Sequence, residues 1–220
     1  MTNTPIADQV AMLESQMRQQ VPADVLSQFV AEREQLNADG APHAVAAVGS
    51  PMPDGDLLDA HGGSTTLRAA LDGKPGVVVF YRGAWCPYCN LTLRTYQSQL
   101  LGELDGRGAV LVAISPQAPD GSLSMQETNE LAFTVLSDPG NQIAGELGVL
   151  TEPTPDVKAA QSALGLDLTA VNADGTAVIP MPTTVVVDAQ GDIRWIDVHP
   201  DYATRSEPED ILAAYDEAIG

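Results

Sequence analysis

The chain has 220 residues, 44% hydrophobic and 18% charged, a composition typical of one globular domain with an extension. Thirty acidic residues against ten lysines and arginines give a net charge of −20, so the surface must be strongly anionic. Such a surface argues against nucleic acid and anionic membranes as partners. No apolar run approaches the ~20 residues that a membrane-spanning helix needs.

The start of the chain, Met1 to Pro5, has no basic segment followed by an apolar stretch. We therefore expect no secretory signal and a cytoplasmic location. The whole sequence contains two cysteines, Cys86 and Cys89. So close a pair suits catalysis in a reducing cytosol better than a structural staple.

Two helices are predicted in an N-terminal extension over residues 1–40. Apolar residues recur at helical spacing from Ile6 to Met17 and again from Val25 to Leu36, with Pro22 between the two stripes. The pair can be interpreted as a decoration packed on the core, or as a dimer arm or lid. A homodimer therefore stays an open alternative.

The remaining residues, 41–220, are predicted to form one α/β domain. A small hairpin around His61 precedes a buried strand, Val77 to Tyr81, which leads into a helix. Further elements follow in order: a strand over 109–114, a loop over 115–124, a strand over 133–136, a helix through Ile143, a Pro-rich insertion over 151–163, an antiparallel hairpin over 184–198 and a helix over 209–219. This order predicts a mixed sheet with helices on both faces.

The stretch from Phe80 to Cys89 carries the chemistry, because a Cys-x-x-Cys pair between a strand and a helix is typical of a redox site. Cys86 falls at the predicted helix start, where free N–H groups and the helix dipole favour an anion and lower a thiol pKa. Pro87 suits the first turn of that helix. Cys89 lies one turn further on, within reach of an adduct on Cys86.

We therefore predict that Cys86 attacks the substrate, that Cys89 resolves the adduct, and that an external thiol reduces the Cys86–Cys89 disulfide. This redox-active disulfide would take the place of a bound cofactor. One alternative is a zinc site, but such a site needs four ligands, and His43, His61 and His199 lack ligand-like spacing, so no metal is predicted. The other alternative is a pair of inert core thiols.

Three segments together resemble peroxiredoxin-like members of the alkyl hydroperoxide reductase/thiol-specific antioxidant family: Val77–Cys89, Leu136–Asp138 and Met181–Arg194. The resemblance covers about residues 46–219 and implies the thioredoxin fold and an antioxidant oxidoreductase activity. In thioredoxin-fold proteins the proline at the position of Pro182 is cis and faces the cysteines, so the resemblance implies a cis Met181–Pro182 bond. The alternative is a proline at the start of an edge strand.

The cysteine site departs from the pattern of that family. When the chain is aligned on Phe80, Cys89 falls where a typical peroxiredoxin has its peroxidatic cysteine. Cys86 then takes the place of the family's Thr, and Pro182 takes the place of its active-site Arg. Phe80 itself replaces the buried Asp of thioredoxins. The site resembles thioredoxin in a peroxiredoxin-like body, and a peroxiredoxin-style exchange of the two cysteine roles stays open.

Six further residues are expected to support the cysteines: Arg82, Trp85, Pro87, Tyr88, Pro182 and Thr183. Arg82 is the nearest cation along the chain, and it could lower the Cys86 pKa or hold an anionic group of the substrate. The alternative is a surface Arg paired with an acidic neighbour. The Pro87–Tyr88 dipeptide matches glutaredoxins, which favours a glutathione-type reductant.

These observations predict a thiol-based oxidoreductase that reduces disulfides or hydroperoxides at the expense of a thioredoxin-, glutathione- or mycothiol-like thiol. The missing Thr and Arg favour disulfides as the electron acceptor, whereas the resemblance of the body favours peroxides. The alternative is a redox-sensing binding module without turnover, in which oxidation of the cysteine pair alters a partner surface.

Overall fold

A computed structural model describes residues 4–220, which form ten helices and nine strands. The helices are α1 Ile6–Gln20, α2 Ala23–Asp39, α3 Leu67–Leu71, α4 Pro87–Gln99, α5 Leu101–Gly106, α6 Pro119–Thr128, α7 Gln142–Glu146, α8 Pro155–Ala163, α9 Leu168–Val171 and α10 Pro208–Ile219. The strands are β1 Asp56–Asp59, β2 Ser64–Thr66, β3 Gly76–Phe80, β4 Val110–Ser115, β5 Thr134–Ser137, β6 Leu150–Thr151, β7 Ile179–Pro180, β8 Thr183–Val187 and β9 Ile193–Val198. No helix within residues 4–220 is long and apolar enough to cross a bilayer.

Seven strands form one mixed sheet in the order β2-β1-β5-β4-β3-β8-β9. Strand β3 pairs in parallel with β4 on one side and antiparallel with β8 on the other. Strands β4 and β5 are also parallel, and β1 runs antiparallel to β5. The prediction of an α/β fold with a mixed central sheet is therefore confirmed.

Strand β3 lies at the centre of two hydrophobic cores, one on each face of the sheet. Val77 and Val79 pack with α1, α4 and α10 on one face. Val78 and Phe80 pack with β1, α3 and α7 on the other. Side chains alternate between faces along a strand, so a strand covered on both faces reads as one continuous apolar run.

Helix α1 packs against α4, and its first turn is held by a residue from the far end of the chain. The backbone N–H groups of Ile6 and Ala7 donate to the Glu207 carboxylate at 2.8 and 2.9 Å. Pro5, at the cap position, makes no side-chain hydrogen bond to the helix. Glu207 therefore satisfies the free N–H groups and complements the positive end of the helix dipole.

Helix α2 packs against α8 and contacts the loop that follows β9, residues 199–207. Its Arg33 donates to Asp201 in that loop at 2.7 Å and is also ion-paired with Glu14 of α1. Glu32 is buried and accepts a hydrogen bond of 2.9 Å from the backbone of Thr154. Both N-terminal helices are thus packed on the body of their own chain.

The prediction of a loop over residues 115–124 is wrong, because α6 begins at Pro119. Pro119 suits the first helical turn, and Met125 of this helix is fully buried. The Ser122 hydroxyl also bonds the Ser137 hydroxyl of β5 at 2.9 Å. The Pro, Gly and Ser content of this segment is typical of a loop. These two buried contacts hold it as a helix.

The contact between Glu207 and α1 makes a testable contribution to stability. The substitution Glu207→Ala should lower the free energy of unfolding by about 1 kcal/mol, because two N–H groups lose their acceptor. Urea unfolding measures this difference. Glu217→Ala, an exposed change on the same terminal helix, is the matched control. Equal stability of the two variants would show that the carboxylate does not hold α1.

Candidate active site

A tight bend between β3 and α4 presents the cysteine pair. Gly83 in this bend has a φ of 149°, a value that favours glycine. A Cβ atom at Gly83 would overlap the Trp85 indole and lie 2.9 Å from Cδ of Gln117. The bend therefore needs glycine here, and it places Cys86 at the N-cap of α4 with Pro87 in the first turn.

Asn90, in the first turn of α4, stabilises the bend through side-chain hydrogen bonds. Its Nδ2 group donates to the carbonyl oxygens of Ala84 at 2.7 Å and Cys86 at 2.9 Å. Its Oδ1 atom accepts a hydrogen bond of 2.7 Å from Asn129. The backbone N–H of Ala84 donates to the Gln117 side chain. The backbone around the cysteines is thus held by side chains from α4 and from the two residues that flank α6, Gln117 before it and Asn129 after it.

The two cysteines are free thiols, and each is only 1% exposed. Cys89 lies in the first turn of α4, three residues beyond Cys86, and the two thiols are close enough to shift each other's pKa. The expected spacing of one helical turn therefore brings the two sulfurs together. A disulfide between them requires no long-range movement of the chain.

Cys89 is surrounded by positive and hydrogen-bonding groups. Nη2 of Arg205 donates to its sulfur at 3.3 Å, and Arg82 is a second cation near enough to lower the pKa of this thiol. The Arg205 guanidinium is itself fixed by the carbonyl oxygens of Tyr202, at 2.7 Å, and Thr204. Within residues 4–220 no carboxylate forms an ion pair with Arg205, so its charge stays available to the thiolate.

The acidities of the two thiols diverge. Burial raises the pKa of Cys89, but the neighbouring Cys86 thiol, the Arg205 charge and Arg82 outweigh it and lower the pKa to about 5. Burial raises the pKa of Cys86 well above its ordinary value, and the neighbouring Cys89 thiol and its charge add to that rise. The prediction of a lowered thiol pKa at Cys86 is therefore wrong. The Cys86 side chain makes no capping bond to the helix that could offset its burial.

The loop over residues 199–207 positions Arg205. The two ring nitrogens of His199 bond the Thr204 hydroxyl at 2.7 Å and the Asp197 carboxylate at 2.9 Å. The Tyr96 hydroxyl of α4 donates to the Ser206 carbonyl oxygen at 2.7 Å. These bonds tie the loop to the end of β9 and to the cysteine helix.

Sequence reasoning missed Arg205, which lies 116 positions beyond its partner Cys89. No local motif marks this residue, and the one signal is a cation just before the last helix of a very acidic chain. The resemblance places the family's Arg at Pro182, which directly precedes β8 and lies far from Arg205 in the sequence. In this chain a guanidinium reaches the sulfur from the 199–207 loop instead.

Pro182 and Thr183 lie where β8 begins, at the same end of the sheet as the cysteines. Thr183 pairs with Phe80, the last residue of β3. Every peptide bond of residues 4–220 is trans, including the one before Pro182, so the cis bond implied by the resemblance is wrong. The trans form is the lower-energy isomer of an X–Pro bond. The Pro182 carbonyl oxygen accepts a hydrogen bond of 2.8 Å from the backbone N–H of His199, which extends the β8–β9 pairing.

The other predicted residues, Arg82, Trp85, Pro87 and Tyr88, line a cavity of about 900 Å³ together with Cys86. Arg82 is 4% exposed, and its guanidinium stacks over the Tyr202 ring at 3.8 Å. No carboxylate among the described residues forms an ion pair with it, so the alternative of a surface salt bridge is contradicted. Among residues 4–220, no three His, Cys, Asp or Glu side chains are grouped as a metal site requires.

Known proteins similar to this chain were found by sequence and by structure. A peroxiredoxin named bcp from Haemophilus influenzae is 37% identical over 109 residues, which are 48% of this chain and 67% of that protein. The crystal structure of peroxidoxin BcpB from Mycobacterium tuberculosis has a TM-score of 0.59 at 20% identity, over 79% of this chain and 98% of the other. That of reduced Prx3 from Vibrio vulnificus in complex with hydrogen peroxide has a TM-score of 0.62 at 18% identity, over 77% and 99%.

At such identities the solved structures establish the fold alone. The family itself follows from a sequence model described as AhpC/TSA, which matches residues 48–196. This match includes both cysteines, the bend at Gly83 and strands β1 to β5 and β8. Because the match covers more than half of the sequence, the chain belongs to the AhpC/TSA family.

Proposed function

We propose that this protein is a thiol-dependent peroxidase in which Cys89 attacks the peroxide and Cys86 resolves the product. The environment of Cys89 is the observation that carries the proposal. Its sulfur contacts the Arg205 guanidinium at 3.3 Å, and its pKa is lowered to about 5. Cys89 is therefore a thiolate at neutral pH, which is the nucleophilic form of the side chain.

The first step is attack of the Cys89 thiolate on one oxygen of the hydroperoxide. A sulfur–oxygen bond forms, the oxygen–oxygen bond breaks, and the electron pair leaves with the second oxygen. The attacked oxygen keeps its proton, so Cys89 becomes a sulfenic acid, while the departing oxygen takes a proton to form water or an alcohol. The Arg205 guanidinium stabilises the thiolate and can also stabilise the negative charge that develops on the departing oxygen.

The second step joins the two cysteines. Cys86 is protonated because its pKa is raised, and its thiol lies close to the Cys89 thiol. Attack of the Cys86 sulfur on the sulfenic acid forms the disulfide, and the sulfenic hydroxyl leaves with the Cys86 proton as water. Two external thiols then reduce the disulfide and are themselves oxidised to a disulfide.

Membership of the AhpC/TSA family favours a peroxidase with turnover over the redox-sensing module without turnover. It also favours a peroxide over a disulfide as the electron acceptor. The reductant is a thiol, and we propose a thioredoxin-, glutathione- or mycothiol-like molecule. The Cys86–Cys89 disulfide of the protein itself, rather than a separate cofactor, would carry the electrons between the two substrates.

Peroxide turnover is the direct test of this function. The purified chain should consume hydrogen peroxide over many turnovers when dithiothreitol regenerates the two thiols, and the loss of peroxide with time measures it. The double variant Cys86→Ser/Cys89→Ser is the control for uncatalysed loss. If the chain consumed no peroxide but rapidly reduced insulin disulfides, the peroxidase proposal would be wrong and the protein would be a disulfide reductase.

The roles of the two cysteines can be separated by single substitutions. Cys89→Ser should reduce peroxide consumption to the level of the double variant, because the attacking sulfur is lost. Without dithiothreitol, Cys86→Ser should consume one equivalent and stop with a sulfenic acid on Cys89, which mass spectrometry detects as its dimedone adduct. A sulfenic acid found on Cys86 in the Cys89→Ser variant would restore the order predicted from the sequence.

The Arg205 charge should account for much of the acidity of Cys89. In a Cys86→Ser background, which keeps a hydroxyl donor, Arg205→Met should move the Cys89 pKa upward from about 5 toward ~8.5. The ultraviolet absorbance of the thiolate measures the titration. The rate of reaction with peroxide at neutral pH should fall on the order of tenfold and recover at alkaline pH, where the thiolate forms again.

Arg194→Gln is the matched control for this experiment, because Arg194 is ion-paired with Asp188 at the far end of the β8–β9 hairpin. It removes one positive charge without touching the sulfur. An identical titration of Cys89 in the Arg205→Met and Arg194→Gln variants would show that the guanidinium contact does not set the acidity.

A further inference from the structure

We propose that the cavity beside Cys86 binds the reductant of this cycle, a small thiol that has an apolar body and an anionic group. The inference rests on the proposed function and adds the chemical class of its second substrate. The cavity has a volume of about 900 Å³ and lies between the N-terminal helices and the start of α4. Pockets of this size and lining are typical of sites for small organic ligands.

The outer wall of the cavity is mostly apolar and comes mainly from the N-terminal extension, which also contributes the charged residues Arg18 and Glu34 to the lining. Leu26, Phe29 and Val30 of α2 face Leu164 and Leu166, which follow α8. Val30 is 48% exposed and Leu164 is 51% exposed, whereas most large hydrophobic side chains of the described residues are covered. Exposed apolar side chains gathered in a concave surface indicate a binding site for an apolar group.

The inner end of the cavity carries an unneutralised cation. The Arg82 guanidinium stacks on Tyr202 and on Trp85, at 3.8 and 5.1 Å from the ring centres. Its Nε atom is buried without a hydrogen-bond partner among the described residues. Arg33, another cation of the cavity, is by contrast neutralised by Asp201 and Glu14.

A buried guanidinium without a carboxylate partner is costly, and this chain has thirty acidic residues from which a partner could have come. An anionic group on the ligand would supply the missing charge and accept hydrogen bonds from Arg82. The cavity is therefore amphipathic, with an apolar outer part and a cation next to the cysteines.

Cys86 lines the cavity and Cys89 does not. A ligand in the cavity therefore meets Cys86, which makes the site unsuitable for the peroxide that Cys89 attacks. In the oxidised protein the same ligand meets the Cys86 side of the disulfide. A thiolate there attacks the Cys86 sulfur, the sulfur–sulfur bond breaks, and the electron pair leaves with Cys89.

Cys89 is the better leaving group, because a thiolate of lower pKa leaves faster and Arg205 stabilises it. The product is a mixed disulfide between the ligand and Cys86. A second ligand thiolate then attacks the sulfur of the bound ligand and releases Cys86, which takes up a proton. Two thiols are oxidised to one small disulfide, and the protein disulfide is reduced to two thiols.

The test measures reduction of the preformed Cys86–Cys89 disulfide by three probe thiols. 8-Mercaptooctanoate has both an apolar chain and a carboxylate, 8-mercapto-1-octanol lacks the carboxylate, and 3-mercaptopropionate lacks most of the chain. The full-length protein is oxidised with diamide, and released thiols are counted by alkylation and mass spectrometry. 8-Mercaptooctanoate should react about tenfold faster than either other probe, since both ends of the cavity then contribute.

Substitutions on the cavity wall give the matched comparison. Val30→Glu should lower the ratio of the 8-mercaptooctanoate rate to the 3-mercaptopropionate rate about tenfold, because a carboxylate then faces the chain. Met12→Glu changes a residue of α1 that is also exposed but lies outside the cavity lining, and it should leave the ratio unchanged. Arg82→Gln should bring the ratio of 8-mercaptooctanoate to 8-mercapto-1-octanol to about one.

Equal rates for the three probes would overturn the inference, and so would a Met12→Glu effect as large as that of Val30→Glu. Reduction by thioredoxin with no reduction by any probe would also overturn it, since the partner would then be a protein. Diamide forms the disulfide without peroxide, so this experiment is independent of peroxide turnover. A chain that turns over peroxide yet treats the three probes alike refutes the cavity proposal alone.

Discussion

The contact between the Arg205 guanidinium and the Cys89 sulfur is the interaction on which the proposed chemistry of this protein depends. Cys89 is almost fully buried, and an interior position normally opposes a charge. The neighbouring Cys86 thiol and a cation at 3.3 Å together reverse that preference and lower the pKa of Cys89. Arg205 can act in this way because backbone carbonyl oxygens, rather than carboxylates, fix its position, so its charge is not cancelled.

The two cysteines share one motif and are equally buried, but the roles proposed for them differ because their side chains have different neighbours. Cys86 caps α4 and faces the cavity, whereas Cys89 lies one turn further along and faces the cation. One sulfur is therefore acidic and next to a cation, and the other is protonated and next to an amphipathic space. In the proposed cycle, this difference separates the sulfur that meets the oxidant from the sulfur that meets the reducing thiol.

Much of the fold could be predicted from the sequence, because the apolar runs of β3, β4 and β8 and the pair of nearby cysteines are local patterns. The helix at Pro119 was missed because only tertiary contacts hold its polar residues. The lowered pKa of Cys86 was predicted from the free N–H groups and dipole at the helix start and from the nearby Arg82, but burial and the second sulfur raise this pKa instead. Arg205 could not be predicted, since its contact depends on a loop far along the chain.

Glu207, which caps the first turn of α1, lies two residues from Arg205. The loop over residues 199–207 therefore holds both the first turn of α1, through Glu207, and the Cys89 sulfur, through Arg205. A shortened protein without its first forty residues would lose the partners of Glu207 and of Asp201 in that segment. What resembles an appendage to a thioredoxin-like body is thus part of the scaffold that keeps the reaction centre acidic.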